Sequence, residues 1–224
     1  MNAQKLQRSE SFLVAALLAL AGGFLDAYTY LCRGGVFANA ETGNIVLLGV
    51  HLARQEWGTA LRYLAPIVAF ALGILAAEWI KSRRRDKAGR LHWRHVTLGM
   101  EIVILAAASF VPLGELDSVV NVLVAFVCAL QVETFRKVRG NAFASTMCTG
   151  NLRSGTEALY RQITTGDRKA AEKSGCYYGV ILFFIAGAAL SGVLCGYFPQ
   201  RAILAAAVFQ AAAFVLMMRL DEDT

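Results

Sequence analysis

Six apolar stretches recur along the chain, at residues 11–31, 60–81, 96–112, 119–138, 177–198 and 201–218. Each is of the length, roughly 17–25 residues, that an α-helix needs to cross a hydrocarbon core about 30 Å thick. The pattern predicts an all-α, polytopic membrane protein of about six spanning helices. The first stretch follows Lys5 and Arg8 as a secretory signal would. It is too long for one and lacks a small-residue cleavage site, so it reads as a retained helix. A chain of 224 residues that is 57% hydrophobic and only 17% charged agrees, being far more apolar than a soluble domain needs.

Two polar interruptions break the apolar pattern. FANAETGN, residues 37–44, sets Asn39, Glu41, Thr42 and Asn44 between apolar runs, and Thr149-Gly150-Asn151 repeats the TGN triplet in the second half. Asp26 stands sixteen residues before the first triplet and Glu133 sixteen before the second, so a single offset of 107 superimposes both pairs. Phe37-Ala38 and Phe143-Ala144 precede the triplets one residue out of register, and two apolar spans follow each. This ordered set points to an internal duplication. The organisation expected is a first membrane repeat at 11–112, a short external loop at 113–118 and a second repeat at 119–218, with cytoplasmic segments at 1–10 and 219–224.

Charge sets the orientation. With six crossings and a cytoplasmic N-terminus, 18 of the 22 lysines and arginines lie inside, the bias of the positive-inside rule. If both TGN segments crossed, the split would fall to 10 against 12; if only the first crossed, it would be 17 against 5, but the repeat would be broken. Three crossings per half, an odd number, invert the second half relative to the first, as in many transporters. The formal charge of +6 then belongs to cytoplasmic loops, and nucleic acid is not an expected partner.

Backbone at membrane depth must find hydrogen-bond partners, so a break there survives only against protein or a water-filled cavity. Each TGN accordingly reads as a broken or re-entrant segment. Gly43 permits the turn, and Thr42 or Asn44 caps a helix from Ile45 to about Ala53 whose N–H groups face the cavity. An extramembrane loop with a capped short helix is the alternative. After Asn151 the sequence turns charged and amphipathic, like a helix on the cytoplasmic surface. Asp26, Glu101 and Glu133 are ionisable groups inside apolar stretches, which by default mark an ion or solute path. Arg33 and Arg136 are their candidate salt-bridge partners, and structural pairing at helix ends is the competing reading. The candidate path residues are therefore Asp26, Asn39, Glu41, Thr42, Gly43, Asn44, Glu101, Gln131, Glu133, Thr149, Gly150 and Asn151.

Other chemistry is sparsely represented. The five cysteines show no paired spacing, and His92 and His95 lack a nearby carboxylate or thiol, so no metal or cofactor is expected. Nucleotide loops, a serine elbow and HExxH are absent from the sequence, and an enzyme is not expected. Gly192 and Gly196 form a GxxxG that allows close packing, within the monomer or in a homodimer.

GFLDAYTYL followed by GGVFANAETGNIVLLG, then Gln131 and the second TGN, resembles the YoaK-like family of bacterial membrane proteins, a domain of unknown function. The resemblance covers nearly the whole chain and is most specific in the Asp-to-TGN block. It departs at Val132, where the family usually carries Asn. It implies a small helical protein of the bacterial inner membrane and brings no substrate or catalytic residue. The function expected is passage of a small solute or ion, proton-coupled through Asp26, along a path between inverted repeats. A passive channel and a non-transport sensor or assembly protein that binds lipid headgroups or another protein are the alternatives.

Overall fold

A computed structural model describes residues 11–84, 92–145 and 147–222. The segment 1–10, the basic loop residues Arg85, Lys87 and Arg90, and the last two residues of the tail lie outside the described residues. In chain order the elements are α1 (Phe12–Cys32), α2 (Glu41–Ala53), α3 (Trp57–Arg84), α4 (Trp93–Ala108), α5 (Asp117–Thr134), β1 (Lys137–Val138), β2 (Asn141–Ala142), α6 (Cys148–Thr165), α7 (Arg168–Tyr197) and α8 (Leu204–Glu222). Local chemistry sets several boundaries. Ser11 caps α1 by accepting from the Val14 N–H, and Asp167 caps α7 by accepting from the Lys169 N–H. Gly166 ends α6 in the left-handed conformation that glycine adopts without penalty.

All six apolar stretches become helices, with shifted edges. Residues 135–138, expected to extend α5, instead leave it and enter an antiparallel hairpin, β1 with β2. Tyr177 Oη donates to the Ala142 carbonyl at 2.6 Å and holds that hairpin against α7. α7 starts nine residues earlier than its apolar stretch, and α8 continues into the segment assigned to the tail. Four helices, α1, α3, α5 and α7, are long and apolar enough to cross a membrane; α4, with 16 residues, and the apolar part of α8 are shorter.

α1 and α5 form the centre. Of their apolar windows 72% and 56% is buried, against 28% for α3 and 22% for α7, which turn most of their surface outward. α1 packs chiefly on α7 and α5 chiefly on α3, while α2 lies on α3 and α6 on α7. α8 covers α1, α4 covers α5, and α4 and α8 meet each other. Glycine permits the two main crossings. A side chain at Gly23 or Gly187 would strike the backbone of Phe184 or Leu20 across α1 and α7, and one at Gly73 would strike Phe126 of α5. Phe24, Leu25, Tyr28, Leu105, Val124 and Ile203 fill the core between the central helices and their covers.

Candidate functional site

The chain after α1 reverses and runs back along it. Gly34 and Gly35 both take positive φ, 83° and 76°, which makes the reversal cheap only for glycine. The returning backbone is then pinned step by step. Ala38 N–H donates to Thr29 Oγ1 at 3.3 Å, Asn39 N–H donates to Asp26 Oδ1 at 3.1 Å, and Asn39 Nδ2 donates to the Gly22 carbonyl at 3.2 Å. Gly22 lies near the midpoint of the 21-residue α1, ten residues or about 15 Å of helix rise below its end. The start of α2 is thus level with the middle of α1.

α2 begins one turn earlier than the sequence suggested. It starts at Glu41, and Ala40 occupies the cap position with no side-chain hydrogen bond. Thr42, Gly43 and Asn44 therefore lie in its first turn, and Gly43 does not make the turn. The anchor comes from a distance: Asp26 binds the Asn39 N–H and interacts with that of Ala40, so a carboxyl on α1 meets the positive end of α2. Fully buried Asn44 ties the turn together, donating Nδ2 to the Phe37 carbonyl at 3.1 Å and to Glu41 Oε2 at 2.9 Å.

Three buried oxygens here find no donor among the described residues: Asn39 Oδ1, Glu41 Oε1 and Asn44 Oδ1. Asp26 lies within electrostatic range of Glu41. The result is a cluster of unpaired acceptors beside one buried carboxyl. It would be satisfied by protons, ammonium or hydroxyl donors, or a cation. Thr42 is exposed beside it.

The second TGN repeats the local geometry. The residue before α6, Met147, has φ −112° and ψ 82°, against −109° and 75° for Ala40 before α2, and neither makes a side-chain cap. Asn151 reaches back seven residues, as Asn44 does, donating Nδ2 to the Ala144 carbonyl at 2.7 Å and accepting from the Ala144 N–H at 3.4 Å. Thr149, equivalent to Thr42, is also exposed, as is Gly150. Cys148, at the start of α6, falls within electrostatic range of Asp26.

The remaining acids go elsewhere. Glu133 stands at the end of α5 with Arg136 at 3.2 Å and Lys81 at 3.9 Å, an ion cluster at helix ends that does not include Asp26. Arg33 turns away from Asp26 to Asp117, at 3.0 Å. Glu101 and Gln131 are buried in a separate network with Gln210, which the sequence reading did not single out. Its signal was there, since Gln210 is the one polar side chain in the run 202–218. Ser145 and the Gly34-Gly35 reversal likewise fall outside the path expected from the sequence.

Long apolar helices around a buried core, with Leu, Val, Ile and Phe facing outward, define a multi-pass α-helical membrane protein. Residues 14–216 match the family described as protein of unknown function (DUF1275), and the chain belongs to that family, as the Asp-to-TGN resemblance implied. It is similar to the UPF0700 transmembrane protein YoaK of Bacillus subtilis (strain 168), 29% identical over 145 residues. That match spans 62% of this chain and 63% of the relative. No solved structure matches.

Proposed function

We propose that the protein passes a small solute or ion across the bacterial inner membrane, along a path between two inverted halves that meet at Asp26. The observation that carries this reading is the return of residues 36–39 to the midpoint of α1, leaving three donorless oxygens beside the Asp26 carboxyl. Polar backbone and side chains are tolerated at such depth only where they line a cavity or pack on protein. An ionisable group there marks an ion or solute path. The unpartnered atoms are all acceptors, so the species passed is a donor: a cation or a small molecule bearing ammonium or hydroxyl groups.

The matched helix starts at Ala40 and Met147 support a duplication, and the charge bias supports its inversion and a cytoplasmic N-terminus. In that arrangement α1, α3, α4, α5, α7 and α8 cross, and α2 and α6 reach in from opposite faces.

A non-transport reading draws on one feature. A cavity of about 580 Å³ opens between α6, α7 and the hairpin, lined by Arg139, Arg161, Lys169 and Lys173 together with Glu157, Asp167 and Glu172. It suits a lipid headgroup or a protein partner.

Reconstitution into vesicles with a panel of protons, monovalent cations and amines tests the transport reading. Asp26→Asn keeps the oxygen that accepts from Asn39 but cannot carry charge, so it abolishes proton-coupled flux and leaves thermal stability within about 1 kcal/mol. Flux in Asp26→Asn equal to that of the native protein would remove Asp26 from the path. Absence of flux for every species, with headgroup-dependent binding to α6, would favour the non-transport reading.

A further inference from the structure

A second buried polar cluster joins α4, α8, α5 and the approach to α6. Glu101 and Gln210 are fully buried, and Gln131 and Ser145 nearly so. Gln210 Nε2 donates to Glu101 Oε2 at 2.9 Å and to Gln131 Oε1 at 3.1 Å. Gln131 Nε2 donates in turn to Ser145 Oγ at 2.6 Å and to the Leu18 carbonyl at 3.2 Å. Among the described residues, Glu101 Oε1 and Gln210 Oε1 find no donor.

Among the described residues, the amide that bonds to the Glu101 carboxyl is neutral and does not balance a charge on it. α8 contributes Gln210, and α5 contributes Gln131 and Cys128, the latter within electrostatic range of Glu101, Asp26 and Glu41. On α4 itself the nearest titratable or charged side chains are His95, six residues earlier, its ring edge-on to Phe214 of α8, and Arg94, seven earlier, whose Nε donates to the Thr134 carbonyl at 3.3 Å. α3 turns Glu78 and Lys81 to each other and Lys81 to Glu133. An ionised carboxylate in this setting is strongly disfavoured. A proton on Oε1 removes the charge and turns an orphan acceptor into a donor. Two free oxygens fall short of the roughly six to eight that a hard cation such as Ca²⁺ collects, so the ligand that fits is the proton.

We propose that Glu101 is a proton-binding site whose occupancy is transmitted through Gln210 and Gln131 to Ser145, three residues before α6, and so sets the position of the second TGN element. The ionised carboxylate attracts the Gln210 amide more strongly than a neutral acid does, because charge-assisted hydrogen bonds are about twice as strong as neutral ones. Loading or releasing the proton therefore shifts Gln210 between Glu101 and Gln131, and Gln131 holds Ser145 through the other end of its amide. The site stands whether or not the protein transports anything.

Infrared spectroscopy of the protein in lipid vesicles tests it. At neutral pH the native protein shows the C=O band of a protonated carboxylic acid, Glu101→Gln loses that band, and Asp26→Asn keeps it. Should Glu101→Gln fail to fold, Gln210→Leu removes the donor to Glu101 and moves the band to higher frequency. Amide exchange across Cys148–Asn151, corrected for its intrinsic pH dependence, changes severalfold as Glu101 titrates and is flat in Glu101→Gln. A band that is absent from the native protein, survives Glu101→Gln or is unmoved by Gln210→Leu overturns the proton site. Exchange with the same pH dependence in the native protein and Glu101→Gln, or in the native protein and Gln131→Leu, overturns its transmission to α6.

Discussion

Arg33 directs its guanidinium to four acceptors at once and is fully buried. Nε donates to Tyr28 Oη at 2.8 Å, Nη1 to the Pro112 carbonyl at 2.8 Å and to Asp117 Oδ1 at 3.0 Å, and Nη2 to the Val111 carbonyl at 2.9 Å. Its own carbonyl accepts from Asn121 Nδ2 at 2.8 Å, and Tyr28 Oη passes a hydrogen bond on to the Gln200 carbonyl at 3.2 Å. One side chain thus joins the end of α1 to the α4–α5 and α7–α8 connections. Thermal unfolding in detergent is expected to show Arg33→Ala losing about 3–5 kcal/mol, since Asp117 is left unpaired and carbonyls lose their donors. Arg33→Lys recovers little of this, because one ammonium cannot span a forked set of acceptors. The sequence showed Asp26 and Arg33 as the polar pair of an apolar helix, and spacing alone suggested that they meet. They do not, because Arg33 sits one residue past the helix end and faces the α4–α5 connection. Asp26 instead anchors a backbone thirteen residues onward, and such a contact has no local signature. Gln210 was legible as a lone amide, but its partners lie 79 and 109 residues away.

Helices pass one another most closely where glycine removes the side chain, and two kinds of glycine can be told apart here. Gly23, Gly187 and Gly73 lie against backbone at the α1–α7 and α3–α5 crossings, whereas nothing lies within 4 Å of a side chain added at Gly192 or Gly196. Alanine at any of the first three is expected to force the helices apart and cost about 1–3 kcal/mol or more, while alanine at Gly192 and Gly196 leaves the unfolding temperature of the monomer unchanged. A loss at Gly192 or Gly196 that depends on protein concentration would show that this outward face packs in a homodimer. Gly43 belongs with the tolerant set, since a side chain there would meet only Phe37 at an ordinary 3.7 Å. The long apolar helices were legible because lipid demands a run of about 20 apolar residues, a pattern that survives any tertiary arrangement. The starts of α2 and α6 were not, because neither Ala40 nor Met147 resembles a capping residue. TGN has the composition of a turn and a cap, yet it forms the first turn of a helix whose Asn reaches back to the preceding loop.

Over the whole molecule, exchanging α1 with α5, α2 with α6, α3 with α7 and α4 with α8 reproduces the principal packing relations. The offset of 107 in the sequence and the paired Asn44 and Asn151 contacts describe the same relation at finer scale. The two TGN helix starts were legible because short polar triplets stand out against an apolar background. The difference between the helices that follow them was legible too, in the charged α6 beside the apolar α2. The sequence did not reveal the separation of the acids: Asp26 joins the turn before the first TGN, Glu133 an ion cluster and Glu101 a buried amide network. Inversion of the halves is the central claim, and membrane-impermeant thiol labelling from each side reads it directly. Single cysteines replace Arg54, at the end of α2, and Thr165, the last residue of α6, in a protein stripped of its five native cysteines. Inverted halves predict that position 54 reacts only from outside and position 165 only from the cytoplasm; reaction of both from the same side would contradict the inversion and the path built on it.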